Sequence, residues 1–229
     1  MTRLTRIIAC LSLLPLPAVA ATRTYEVAAF ETVSAAAGVN VDITLGSDRN
    51  VVAETRAGGF DDLRISVQGK VLKIDRSSRG WFQFMRPSYT VHVVTPALRS
   101  VTATSGADVT VKGASDGDFN VEASSGSDIQ VSGLKAGTVK ANASSGSDVQ
   151  LAGTCTAVEV QASSGSDIDA GSLRCEMAKV QTSSGSDVSL YASRSVSGSA
   201  SSGSDVRVGG APPVVKVEAS SGADVITVN

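Results

Sequence analysis

The tetrapeptide Ser-Gly-[Ser/Ala]-Asp occurs seven times in the second half of this chain, with its aspartates at Asp108, Asp128, Asp148, Asp167, Asp187, Asp205 and Asp224. The spacings are 20, 20, 19, 20, 18 and 19 residues, a fixed period that marks a repeat architecture. Apolar residues alternate on both sides of each aspartate. One and three residues after it stand Val109 and Val111, then Ile129 and Val131, then Val149 and Leu151. Seven and five residues before it stand Val101 and Ala103, Val121 and Ala123, Val160 and Ala162. An apolar period of two, rich in β-branched residues, is that of a strand with one buried face and not of a helix. Each unit therefore supplies two short strands joined by the tetrapeptide corner.

A unit this short, with four or five inward side chains, cannot bury a core alone, so the copies must stack. The glycine present in every copy fits a corner that needs positive φ or close backbone approach, and the alanine column beside it fits a tight bend. The expected fold is all-β: a parallel β-solenoid, or β-helix, with about seven regular rungs of 18–20 residues over residues 101–229, right-handed by the strong preference of parallel crossovers. With rungs about 4.8 Å apart, seven corners make a column roughly 30 Å long.

Residues 21–100 also read as β, but less regularly. Val39, Val41, Ile43 and Leu45 alternate, as do Leu63, Ile65 and Val67, and further strands are expected at residues 71–74 and 89–95. These are either degenerate rungs or a small antiparallel cap. Degenerate rungs continuous with the rest are favoured, because no linker rich in Pro, Gly or charge separates the halves.

Residues 1–20 read as a signal peptide. Arg3 and Arg6 precede an apolar stretch from Ile7 to Leu16, and Ala18-Val19-Ala20 supplies a small-x-small cleavage site before Ala21. The protein is thus expected to be exported, to the periplasm, outer surface or extracellular space. No later segment approaches the roughly 20 apolar residues of a membrane-spanning helix.

Removing Arg3 and Arg6 from 20 basic residues leaves 18 against 22 acidic ones, a net charge of −4 for the mature chain. A nucleic-acid partner would need a basic face and is excluded on this balance. Residues 105–229 hold 8 Lys/Arg and 14 Asp/Glu, so a charged partner of the repeats is a cation rather than an anion.

An exported β-rich first half, the segment Tyr89-Thr90-Val91-His92-Val93-Val94-Thr95-Pro96-Ala97-Leu98-Arg99-Ser100-Val101 and the repeated Ser-Gly-Ser-Asp rungs together resemble the GIN-domain family of autotransporter-adhesin heads. The resemblance covers nearly all of the mature chain. It implies a β-helical fold and an adhesin-like, cell-surface or envelope role, and it names no ligand. An autotransporter also needs a barrel of many amphipathic strands; none follows the repeats, so self-translocation is not expected of this polypeptide alone.

The aspartate ladder is the most specific candidate site. Stacked rungs bring seven carboxylates to one edge, where each neighbouring pair repels by about 1 kcal/mol in water-like dielectric. Two readings stand. Each Asp accepts hydrogen bonds from its own turn and faces solvent, or the row holds Ca²⁺ through hard oxygen ligands. The turn reading is favoured, because calcium-binding nonapeptide repeats carry more glycine and place their apolar residue differently from these corners.

Cys155 and Cys175 each stand 12 residues before the next corner aspartate. That places them at one position on adjacent rungs, within disulfide reach, and an exported protein favours the oxidised pair; two stacked buried thiols are the alternative. Trp81, Phe82, Phe84 and Met85 form an aromatic cluster that either docks a partner or folds over the open end of the solenoid, the cap being favoured. No catalytic residue is assigned. His92 is the only histidine, and Ser132-Gly133-Leu134-Lys135 matches Ser-x-x-Lys without its companion motifs. The expectation is a non-enzymatic structural or binding protein, without a cofactor, for an unidentified surface, matrix or glycan component. The alternatives are a Ca²⁺-binding repeat protein and a carbohydrate-active β-helix enzyme.

Overall fold

The computed structural model describes residues 20–77, 87–113 and 117–228. These residues are all strand, turn and loop, and the strands join one continuous sheet that winds around an apolar core.

The regular part begins with β8 (Ser100–Thr104) and β9 (Asp108–Lys112), the strands before and after the first corner. β10 (Phe119–Ser124) stacks parallel on β8 with Val121 opposite Val101 and Ala123 opposite Ala103. Beyond the second corner the strands run on around the rung: β11 (Asp128–Ser144), β12 (Asp148–Ser163), β13 (Asp167–Thr182) and β14 (Val188–Ala200). Each leaves one corner and arrives at the next. Register shifts, such as that between Val131 and Leu134, mark irregularities at which a strand can bend around the core. β15 (Asp205–Gly209), β16 (Val214–Ala219) and β17 (Asp224–Thr227) complete the stack. All these pairings are parallel, and the corner positions stay in register, so Asp108, Asp128, Asp148 and Asp167 face one another directly. The alternating residues read from the repeat fill the interior: Val101, Val121, Ala141, Val160 and Val180 on one wall, and Val109, Ile129, Val149, Ile168, Val188 and Val206 on another, are all buried. Phe119, Val139, Val158, Ala178 and Val196 form a further inward column. On the outermost rung, β16 and β17 expose Val214, Val215 and Ile226.

The first half combines both arrangements expected of it. β2 (Thr32–Ala36) and β3 (Asn40–Leu45) form a true rung, parallel to β8 and β9. β6 (Val71–Arg76) and β7 (Tyr89–Thr95) form another, parallel to β2 and β3 on their far side. The rungs are thus out of sequence order, with β2–β3 sandwiched between β6–β7 and β8–β9. Three strands instead run antiparallel and close this end: β4 (Asn50–Thr55) on β7, β1 (Ala21–Thr24) on β4, and β5 (Leu63–Gln68) on β6. Continuous degenerate rungs therefore describe only part of residues 21–100. The reason is local. Leu63–Gln68 and Val71–Arg76 flank the two-residue turn Gln68-Gly69-Lys70-Val71, with Gly69 at φ +61°, and so tight a connection forces a hairpin and not a parallel crossover. Tyr89 anchors the cap: its hydroxyl donates to the Asp62 carboxylate and lies 2.8 Å from Gly59 O, while Arg76 pairs with Asp62 at 2.9 Å.

Cys155 and Cys175 face each other across β12 and β13 and form a disulfide, with Cα atoms 4.6 Å apart.

Candidate functional site

The corner is built from two left-handed residues in succession. Ser125, Ser145, Ser164, Ser184 and Ser202 have φ of 58–61°, and the glycines that follow have φ of 67–70°. Glycine enters this region freely, whereas serine does so at a cost of about 1–2 kcal/mol. Stacking offsets that cost: each corner glycine from Gly106 to Gly203 donates its N–H to the carbonyl of the left-handed serine on the next rung, as Gly126 does to Ser145 O at 3.1 Å and Gly146 to Ser164 O at 3.2 Å.

The serine immediately before each aspartate points inward. Ser127, Ser147, Ser166, Ser186 and Ser204 are fully buried. Ser147 Oγ accepts from Ser144 N–H at 3.1 Å and shares its proton between Ser144 O at 2.8 Å and Ala123 O, on the preceding rung, at 3.0 Å. Ser127 and Ser166 repeat this pattern. Where Thr182 replaces the alanine, its hydroxyl closes the corner onto Ser186 O at 2.8 Å, and Ser186 Oγ accepts from Ser166 N–H at 3.2 Å instead. The first and last copies have Ala107 and Ala223 in place of this serine.

The aspartates occupy the outward side of the strand after the corner. Asp167 Oδ1 accepts from Asp187 N–H at 3.0 Å, and Asp187 Oδ1 from Asp205 N–H at 3.2 Å. These carboxylates thus bind backbone of the following rung, a link between units where an intra-turn bond was the expectation. Asp108, Asp128 and Asp148 flank a shallow recess of about 290 Å³ with Thr110, Gln130 and Gln150. Partial burial, followed by the neighbouring Asp128 carboxylate, pushes the Asp108 carboxyl above its ordinary value. Among the described residues, no three His, Cys, Asp or Glu side chains converge in the manner of a metal site.

The strand before the corner carries a second outward surface that the aspartate alignment drew no attention to. Its residues six before the aspartate are Glu122, Asn142, Gln161, Gln181 and Ser199, and those four before are Ser124, Ser144, Ser163, Ser183 and Ser201. All of these except Ser124 line a groove of about 580 Å³ along the stack. No described residue bonds the carboxamides of Asn142, Gln161 or Gln181, so their donors and acceptors face solvent. The signal was present in the same alignment, at the polar positions between the apolar ones.

The remaining candidates separate. His92 is half-exposed between Asp42, 3.4 Å from Nδ1, and Glu54, 3.5 Å from Nε2; the two carboxylates lie on opposite edges of the ring and do not converge on one point. Ser132 Oγ donates to Val111 O at 3.2 Å, a bond within the fold. Trp81, Phe82, Phe84 and Met85 lie outside the described residues. No helix among the described residues is long and apolar enough to cross a membrane.

Comparison with solved structures finds the same fold in bacterial proteins of low sequence identity. A putative adhesin from Bacteroides fragilis is 16% identical with a TM-score of 0.82, covering 92% of this chain and 97% of that one. A putative adhesin from Parabacteroides merdae is 14% identical with a TM-score of 0.71, covering 92% and 96%. A putative lipid binding protein from Parabacteroides distasonis, also 14% identical, has a TM-score of 0.70 over 92% and 97%. No curated protein matches the chain. Residues 29–212, from before the corner at Ala37-Gly38 to beyond that at Ser202-Gly203, match the family described as "putative auto-transporter adhesin, head GIN domain", and this chain belongs to that family.

Proposed function

We propose that the chain is an exported, non-enzymatic, adhesin-like module that holds a surface, matrix or glycan component against its corner-flanking polar faces. The observation that carries this reading is the groove of about 580 Å³ lined by unpartnered carboxamides and hydroxyls. Its donors and acceptors are mounted on stacked strands locked by inter-rung hydrogen bonds, so ligand binding would lose little backbone entropy. Neutral side chains that both donate and accept suit hydroxyl-rich ligands better than ionic ones. The family and the adhesin-described structures agree with a surface-binding role. Among the described residues the single histidine lies between two carboxylates on the outer sheet, with no hydrogen-bonded nucleophile beside it, which favours the non-enzymatic reading.

The test is a panel of purified neutral polysaccharides presented to the immobilised mature protein, beside a triple variant Asn142→Ala, Gln161→Ala, Gln181→Ala. Binding by the wild type and its loss in the folded variant is expected. Equal binding by both would move the function away from the groove, and turnover of any polysaccharide would overturn the non-enzymatic reading. Fractionation of expressing cells checks export: the mature protein should begin at Ala21 and lie outside the cytoplasm.

A further inference from the structure

We infer that the side of the solenoid around Tyr191 is a second binding site, one that accepts a single carboxylate carried on an otherwise neutral sugar. A shallow cavity of about 400 Å³ is bordered there by Arg174, Arg207, Tyr191, Leu190, Gly210 and Val228. Arg174 and Arg207 form no ion pair or hydrogen bond with a described residue, although residues 105–229 contain 14 acidic side chains for only 8 basic ones. Two unpaired guanidinium groups bordering one cavity in an acidic domain are a local reversal of charge.

The site is also pre-ordered. The Arg174 guanidinium carbon lies 4.1 Å from the centroid of the Tyr191 ring, a cation–π distance that restrains the side chain, and its N–H donors, unbonded to any described residue, are open to bond a carboxylate in two places. Tyr191 is held in turn by the backbone of the next rung. A Cβ built on Gly210, whose φ is +89°, would stand 2.7 Å from Tyr191 Cε2 and 2.5 Å from Ala192 O, so only glycine lets the ring lie there. Val228, 47% exposed, supplies an apolar border suited to the less polar face of a sugar ring.

The surrounding charge selects the form of the ligand. A polyanion laid along this rod would run beside the aspartate column and be repelled at every rung. A single terminal acidic sugar meets two arginines and avoids that column. The same charge-assisted chemistry could come from an anionic lipid headgroup, and the site is separate from the polar groove, so its fate does not depend on the groove's.

The experiment is saturation-transfer NMR and calorimetry on the mature protein with 3′-sialyllactose, lactose, heparin and phosphatidylglycerol vesicles as probes. Sialyllactose should bind and lactose should not. Arg174→Gln and Arg207→Gln, both at exposed positions, should each weaken binding by about tenfold or more, as expected for loss of a charge-assisted hydrogen bond, and 0.5 M NaCl should weaken it as well. Gln161→Ala in the groove should leave it unchanged. Equal binding of lactose, indifference to both arginine variants, or preference for heparin or the vesicles would each overturn the assignment.

Discussion

Two glycines on the same solenoid should respond in opposite order to their repetition in the sequence. Gly146 is a corner glycine, one of seven at that position; Gly198 stands once, in a column otherwise apolar, between Val180 and Val217 on the flanking rungs. At Gly146, φ is +67° and an added Cβ would meet nothing within 4 Å. Gly146→Ala therefore costs only the left-handed backbone, about 1–2 kcal/mol, part of which is recovered from the stiffer unfolded chain. At Gly198, φ is +144° and the Cβ would stand 1.7 Å from Val180 O and 2.7 Å from Val180 C. Ordinary contact begins at about 3.5 Å, so the β13–β14 pairing must open. Adding about 1–3 kcal/mol for the backbone conformation to a similar overpacking cost gives about 4 kcal/mol. For a domain of this size, with roughly 2–4 °C per kcal/mol, Gly146→Ala should melt a few degrees below wild type and Gly198→Ala about 10 °C or more below it. Calorimetric melts of the two variants decide the matter. If they melt within about 2 °C of each other, or Gly146→Ala is the worse, the close approach of Val180 O to Gly198 does not control this rung.

Ser147→Ala should lower stability by about 1–3 kcal/mol, because it leaves the Ser144 N–H without its acceptor inside the corner; a shift of the urea midpoint at unchanged slope measures it, and an unchanged midpoint would remove the buried serine from the account. Reducing Cys155–Cys175 should cost about 3 kcal/mol for a loop of this length, and a Cys155→Ser, Cys175→Ser double variant should melt at the temperature of the reduced wild type. Burial raises the Asp62 carboxyl, but hydrogen bonds from Tyr89 and Arg76 more than offset it and hold the group below its ordinary value. Its contribution is therefore present above the unfolded carboxylate value and lost as pH falls through the lower folded one, a limb that Asp62→Asn should abolish in pH-dependent urea titrations. Asp108 has the opposite sign: with its folded value raised, stability is lost as pH rises from the unfolded value through the folded one, so Asp108→Asn should be more stable than wild type at neutral pH. Millimolar CaCl₂ should move the melting temperature by less than about 1 °C relative to EDTA; a rise of several degrees, reversed by the chelator, would assign the aspartate ladder to cations.

What was legible in the sequence is whatever the repeat writes seven times. The alternation around Asp108 to Asp224 gave the inward columns, the parallel stacking and the facing cysteines, because identical units that share a core must place identical positions in register. The rung formed by β2 and β3 shows where that legibility stops. Its corner at Ala37-Gly38 has φ of 61° and 69°, and Gly38 N–H donates to Ser105 O at 3.1 Å, so it is an eighth corner in geometry. Yet Ala36-Ala37-Gly38-Val39-Asn40 shares only its glycine with the tetrapeptide. The fold requires a left-handed pair and a small or apolar inward residue, and Val39 fills the interior as well as a hydrogen-bonded serine does. The insertion of this rung between β6–β7 and β8–β9 had no signal at all, since local alternation is blind to which rung a strand pairs with.

The division of labour within the corner follows from the same geometry. Glycine and the serine before it set the bend, the buried serine ties adjacent rungs together, and the aspartates at Asp167 and Asp187 bond the backbone of the rung beyond. Ser147 Oγ reaches back to Ala123 O and Asp167 Oδ1 reaches forward to Asp187 N–H, so these tetrapeptide residues join adjacent units. Residues free of that duty are the ones able to vary from rung to rung. On the groove side they run Glu122, Asn142, Gln161, Gln181 and Ser199, and two residues beyond the aspartate they run Thr110, Gln130, Gln150, Asp169, Ser189 and Arg207. With the corners fixed by stacking, these variable outward columns are where the proposed recognition role falls.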